Sequence, residues 1–219
     1  MTKASRIHNE RAIWDKLASR YDNNVMETFE EAYRLTNQAI LEEVTSQSSI
    51  LEIGCGTGIV SLGIAPQAGE VVGVDISPKM IALAEEKARK SNCENVTFQE
   101  ADAYDLPFED ESFDIVLLTN LLHVVAEPTT VLKEAHRVLR TGGVLATVTD
   151  CMAEHVPFRV WLYLLGLRAM KLFGKVKYFH LYRRSDLKKL LENNGFAIQQ
   201  EKDFHKAPVN FYLSGSKGE

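Results

Sequence analysis

Apolar and polar positions change period several times along the 219-residue chain, and those changes divide it into elements. Near the N-terminus apolar residues recur at helical spacing. Ile13 and Leu17 mark a stretch over 8–20, and Ala32, Leu35, Ala39 and Ile40 mark another over 27–45, which predicts two N-terminal helices. From Ser49 onward short apolar runs alternate with amphipathic stretches. The runs predict strands near 49–54, 71–75, 95–100, 113–119 and 143–149, and the stretches predict helices near 58–65, 78–91 and 128–140. Ser77-Pro78 is a helix start, since proline at the first helical position gives up no hydrogen bond, and Gly142-Gly143 predicts a stop. Such alternation predicts an α/β, doubly wound, mostly parallel sheet with helices on both faces. The tail from Gly195 to Gly215 reads as two more strands joined at Lys206-Ala207-Pro208, for seven in all. A single domain over 1–219 is expected, with its N-terminal helices in 1–46.

One segment interrupts the alternation. Between Asp150 and a helix start at Ser185-Asp186 lie more than 30 residues without a strand signal, and an inserted helical lid is expected over 151–184. Its stretch 156–173 is strongly apolar with spaced basic residues. From 151 to 190 nine Lys and Arg stand against two acids, a net charge of +7, which leaves −12 for the remainder of the chain. An apolar helix face must be covered. An apolar ligand, a membrane surface and the partner face of a homodimer would each cover it.

The candidate chemistry sits where the first run ends. In Leu51-Glu52-Ile53-Gly54-Cys55-Gly56-Thr57-Gly58 a buried strand feeds a glycine turn that opens a helix. Asp75 closes the next run, 17 positions after Gly58, where a nucleotide-binding unit places an acid to hold ribose hydroxyls. The turn reads G-x-G-x-G rather than G-x-G-x-x-G, because Ile59 occupies the position of the third dinucleotide glycine, and no Lys-Ser/Thr pair follows it. A dinucleotide and a P-loop phosphate are both disfavoured. Glu52 before the turn repels phosphate and attracts an ammonium group. A ribose, an adenine, a free amino group and no phosphate together describe S-adenosylmethionine.

Further stretches follow in order: Gly73-Val74-Asp75-Ile76-Ser77-Pro78-Lys79-Met80, Glu100-Ala101-Asp102-Ala103, Leu106-Pro107-Phe108, Phe113-Asp114-Ile115-Val116 and Leu132 to Gly143. With the glycine turn, these six marks make the chain similar to the class I S-adenosylmethionine-dependent methyltransferases. The opening Trp14-Asp15-Lys16-Leu17-Ala18-Ser19-Arg20-Tyr21-Asp22 resembles the quinone and small-molecule branch. The resemblance implies an antiparallel C-terminal edge hairpin. It also implies that Ile76 and Met80 pack on the adenine, that Asp102 accepts from its amino group, and that Ala103 offers a backbone N–H. Asn120, ending the fourth strand, falls near the cofactor's amino group. Tyr21 lies over the methionine end if the N-terminal segment folds across the site.

His123 is the candidate general base, since an imidazole with a pKa near 6.5 suits proton abstraction at neutral pH. Its alternative is packing. Asn120-Leu121-Leu122-His123 departs from the Asn/Asp-Pro-Pro-aromatic motif of amide and ring-amine methyltransferases, which counts against such substrates. Asp150 closes the fifth strand and lacks a partner carboxylate at Asn120, so no metal is expected. A net charge of −5 argues against nucleic acid. Cys55, Cys93 and Cys151 are odd in number and widely spaced, and with no signal peptide or apolar span this predicts a cytoplasmic protein. The expectation is methyl transfer to a small, largely apolar acceptor by in-line displacement. A non-catalytic cofactor-binding regulator and a macromolecular methyltransferase are the alternatives.

Overall fold

The computed structural model describes residues 2–154, 178–206 and 209–218. Chain order gives α1 (Lys3–Leu41), β1 (Ser49–Ile53), α2 (Ile59–Ile64), a 3-10 turn (Ala65–Gln67), β2 (Glu70–Asp75), α3 (Pro78–Lys90), β3 (Val96–Glu100) and β4 (Phe113–Thr119). There follow α4 (Pro128–Val138), β5 (Leu139–Cys151), α5 (Arg184–Glu192), β6 (Phe196–Lys206) and β7 (Val209–Lys217). The seven strands form one sheet in the order β3-β2-β1-β4-β5-β7-β6. Strands β1 to β5 pair in parallel, and β7 is antiparallel to both β5 and β6. The edge hairpin is as expected, and the turn assigned to 206–208 lies partly outside the described residues.

The apolar runs are continuous because both faces of the sheet are covered. Leu51, Val116, Leu118, Leu145 and Leu213 pack on one face with Leu132 and Ala135 of α4 and Leu187 and Leu191 of α5. Their neighbours Ile50, Ile115, Leu117, Ala146 and Tyr212 pack on the other face. There they meet Ala39 and Ile40 of α1, Ile64 of α2 and Ala84 of α3. A period of two along each strand thus divides its side chains between two cores. The strand order reverses direction between β1 and β4, where ligands of such sheets sit at the strands' carboxyl ends.

Two boundaries differ from the sequence expectation. The two N-terminal helices are one long element bent at Phe29, which alone leaves helical angles (φ −129°, ψ 16°). The expected gap over 21–26 is helical because Asp22 is held there, accepting from the Thr57 hydroxyl and, at 2.7 Å, from Lys87 Nζ. Helix α4 ends at Val138, before Gly142-Gly143. Buried Leu139 already pairs with Phe113, and the two glycines lie within β5 at a register shift.

The expected helical lid over 151–184, with its stretch 156–173, lies largely outside the described residues. Its described ends, 151–154 and 178–183, are not helical. They are stapled together where Ala153 N donates to Tyr182 O at 3.0 Å and Arg184 pairs with Glu154 at 3.0 Å. Among the described residues no helix is long and apolar enough to cross a membrane.

Candidate functional site

At the carboxyl end of β1 the chain turns through Gly54, Gly56 and Gly58, all with left-handed φ. Gly56 N donates to Asp75 Oδ2 at 3.0 Å, and Ser77 N donates to Asp75 Oδ1 at 2.9 Å. One carboxylate therefore joins the glycine turn to the start of α3. Burial pushes the Asp75 carboxyl above the usual aspartate range, and the backbone N–H groups oppose that rise.

Above this turn lies a cavity of about 690 Å³. Nine of the residues singled out from sequence line it: Tyr21, Gly54, Gly56, Asp75, Ile76, Met80, Asp102, Ala103 and Asn120. The space above Gly56 is open, since a Cβ there would meet only the Tyr21 ring, at 3.8 Å. Tyr21 thus covers the turn, and burial pushes the hydroxyls of Tyr21 and nearby Tyr33 above the usual tyrosine range.

Two predicted residues stand elsewhere. Gly58 does not line the cavity; a Cβ on it would fall 2.7 Å from the Phe98 ring, so its glycine serves close packing and the αL start of α2. Glu52 borders a smaller hollow of about 260 Å³ beneath the turn, with Tyr21, Gly54, Gly56 and Thr119. Its oxygens accept from Ser61 N (3.0 Å), Ser61 Oγ (2.5 Å) and Thr119 Oγ1 (2.5 Å), while burial pushes its pKa up to about 7. The expected open carboxylate is already bonded to the protein.

Asp102 is also engaged, accepting from Arg6 Nη2 at 2.5 Å and from Tyr104 N at 3.1 Å. Arg6 belongs to a row of polar anchors that straps α1 across the cavity. Lys3 meets Asp105, Arg11 meets Glu100 and the Ile76 carbonyl, and Asp15 accepts from the Ser77 hydroxyl. The loop that carries Asp102 is braced from behind. Arg137 donates to the Phe108 and Leu106 carbonyls, and Glu134 accepts from Leu106 N. Two stretches quoted separately from the sequence are therefore one hydrogen-bonded unit.

A second cavity of about 660 Å³ adjoins the first and shares Trp14, Tyr21, Asn120 and Val124 with it. Asn120 holds a left-handed φ of +54° at this wall, with its N–H on the Val148 carbonyl at 2.7 Å. Its side chain donates to Tyr33 at 3.4 Å and accepts from Asn210 at 3.5 Å. Asn210 also donates to Asp150 at 2.8 Å. His123 lines the same cavity, buried, with Nδ1 unpartnered among the described residues. Burial lowers its pKa below 6.5, with nearby Asp150 opposing.

Glu10, Trp14, Tyr33 and Asn210 were missed from sequence. A signal existed for Asn210, an amide in the apolar run from Val209 to Leu213; Glu10 on a helix carried none.

A methyltransferase domain family matches residues 51–147. A demethylmenaquinone methyltransferase of Bacillus cytotoxicus is 32% identical over 182 residues, which cover 80% of this chain and 75% of that protein. The chain belongs to the S-adenosylmethionine-dependent methyltransferases. Another demethylmenaquinone methyltransferase, from Staphylococcus aureus, is 28% identical and covers 88% of this chain and 86% of its own length. Among solved structures, a methyltransferase from Methanosarcina mazei superposes with a TM-score of 0.66 at 25% identity. That superposition covers 82% of this chain and 97% of the other. The methyl donor is S-adenosylmethionine, and the cavity fits it. Gly56 leaves backbone open to close approach, and the lining carboxylates Glu10, Asp75 and Asp102 suit a cationic ligand bearing hydroxyl and amino donors.

Two outcomes follow for methyltransferase stability. Gly58→Ala is expected to cost roughly 2–4 kcal/mol, from left-handed strain plus the Phe98 clash. Gly56→Ala, with open space above it, is expected to cost only about 1–2 kcal/mol. Urea unfolding of the two variants gives the comparison; equal losses would contradict it. Glu52 has a folded pKa above its unfolded value, so its protonated form favours the native state. That contribution is full below about pH 4.5 and is lost as pH rises through about 7, an effect of roughly 3 kcal/mol. Glu52→Gln should flatten the stability profile between pH 5 and 8, and an unchanged slope would show that Glu52 does not titrate there.

Proposed function

We propose that this methyltransferase transfers the methyl group to a ring carbon of a small, largely apolar, hydroxyl-bearing acceptor of the hydroquinone type. The second cavity is the observation that carries the reading. Trp14, Val25, Phe29, Ala32 and Val124 make it apolar, while Asn120, Asn210 and Asp150 form a hydrogen-bonded polar row with His123 on the same lining. That combination suits a flat apolar ring with hydroxyl groups at its edge. The two relatives are named for a demethylated menaquinone, which supports the same acceptor class here.

The donor supplies an activated methyl group, so the protein's work is alignment, exclusion of water and management of one proton. Asp75 is assigned to the ribose hydroxyls, Ile76 and Met80 to the adenine faces, and Ala103 to a backbone contact with the ring. Tyr21 and Asn120, at the wall between the cavities, set the line along which acceptor and donor meet. Held neutral by burial, His123 takes the acceptor's hydroxyl proton at Nδ1, which raises electron density on the ring carbon; once that carbon carries the methyl group its own hydrogen leaves as a proton, restoring the aromatic ring and the hydroxyl. Asp150 stabilises the imidazolium that results. The stretch 156–173 is assigned to the apolar acceptor or the membrane surface holding it. Three free cysteines support a reducing, cytoplasmic setting.

Incubation with methyl-labelled donor and a short-tailed naphthohydroquinone lacking the ring methyl tests the acceptor class by mass spectrometry. Label on the ring carbon is expected; label only on hydroxyl oxygens, or none, would overturn the reading. His123→Ala is expected to lower kcat by roughly 10²–10⁴ while product affinity stays within about twofold. In the wild type, protonation disables the base, so kcat should fall as pH drops below 6.5 towards the depressed pKa of His123. A kcat loss below about threefold, with an unchanged acid limb, would reduce His123 to packing.

A further inference from the structure

Among the described residues, the cavity assigned to the methyl donor contains one carboxylate oxygen without a donor. Both oxygens of Asp75 accept backbone N–H groups, and both oxygens of Asp102 accept from Arg6 or Tyr104. Glu10 differs. Its Oε2 accepts from Arg6 Nη1 at 2.7 Å, whereas Oε1 is buried and has no donor among the described residues. The residue is 8% exposed and lines the cavity. An ionised oxygen shut away from water without a donor is costly, so the position calls for an N–H or O–H from a ligand.

Where Glu10 stands decides which part of the ligand supplies that donor. Arg6 bridges Glu10 and Asp102 with its two terminal nitrogens, and its guanidinium lies 3.9 Å over the Tyr104 ring. A single planar group spans both carboxylates, so Glu10 belongs with Asp102 and Ala103 rather than at the Asp75 end. The guanidinium offsets one of the two charges and leaves a net negative end facing inward. An exocyclic amino group attached to an aromatic ring carries two N–H donors in its plane, and two carboxylates can take one each. A ring carbonyl at the same place would set oxygen against oxygen.

We propose that Glu10 is a cofactor-binding residue, accepting through Oε1 from the adenine amino group and working with Asp102 to select a 6-aminopurine. The proposal rests on the assignment of this cavity to S-adenosylmethionine. It makes α1 part of the binding site: Arg6 orients Glu10 towards the base, and the strap and the adenine close on each other.

Calorimetric titration of the full chain with S-adenosylhomocysteine, and with its 6-oxo analogue in which inosine replaces adenosine, provides the test. Wild type should bind the amino form about 100-fold more tightly. Glu10→Ala should weaken binding of the amino form about 10- to 100-fold and leave the 6-oxo form no weaker, so that the ratio collapses. Glu10→Gln, which keeps a carbonyl acceptor, should recover part of the ratio. If both ligands weaken together in Glu10→Ala and the ratio holds, Glu10 only anchors α1 and the proposal is overturned. If wild type binds S-adenosylhomocysteine with no preference over the 6-oxo form, it is overturned as well. Failure of wild type to bind either ligand would instead remove the cavity assignment, and the proposal with it.

Discussion

The bond from Gly56 N to the Asp75 carboxylate fixes the part of the molecule on which the site depends. It holds the carboxyl ends of β1 and β2 at a set separation, beside the place where the strand order reverses. Because the carboxylate also caps the start of α3 through Ser77 N, the turn, the strand and the helix move as one body. Left-handed angles at three consecutive alternate positions allow the backbone to come this close to the carboxylate and leave the cavity above it open. The floor of the cavity is therefore main chain, held in place by the Asp75 carboxylate.

Over that floor lies a helix held mainly by polar contacts. The first half of α1 reaches the loops after β2 and β3, the glycine turn and α3 through Arg6, Arg11, Asp15 and Asp22. Ile13, Leu17 and Met26 remain largely exposed on it. Beyond the bend at Phe29 its second half packs Ala39 and Ile40 into the core. The same chain segment is thus a cover at one end and a structural helix at the other. Tyr21 and Tyr33 stand one on each side of the bend; both line the second cavity, and Tyr21 lines the first as well.

Much of this was legible in the sequence because the relevant signals are local. Strand runs and helical stretches alternate plainly, and doubly covered strands read as unbroken apolar runs. Three glycines after a strand mark a turn whatever else surrounds them. The rest depended on distant partners. The helix runs on through 21–26, where Asp22 meets the distant Thr57 and Lys87, and bends only at Phe29. Glu52 read as a free acid before a turn, yet Ser61 and Thr119 enclose it. Asp102 read as an open acceptor, although Arg6, 96 positions away, already donates to it. The second cavity is assembled from α1, the loop after β4, and the ends of β5 and β7, and no single stretch announces it.

The central claim is that donor and acceptor lie in adjoining cavities and meet at the wall made by Tyr21 and Asn120. A crystal structure with S-adenosylhomocysteine bound tests it most directly. The account predicts ribose hydroxyls on Asp75, and a sulfur beside the Tyr21 and Asn120 side chains with an open line into the second cavity. A product whose sulfur faces away from that wall, or lies outside the first cavity, would contradict it.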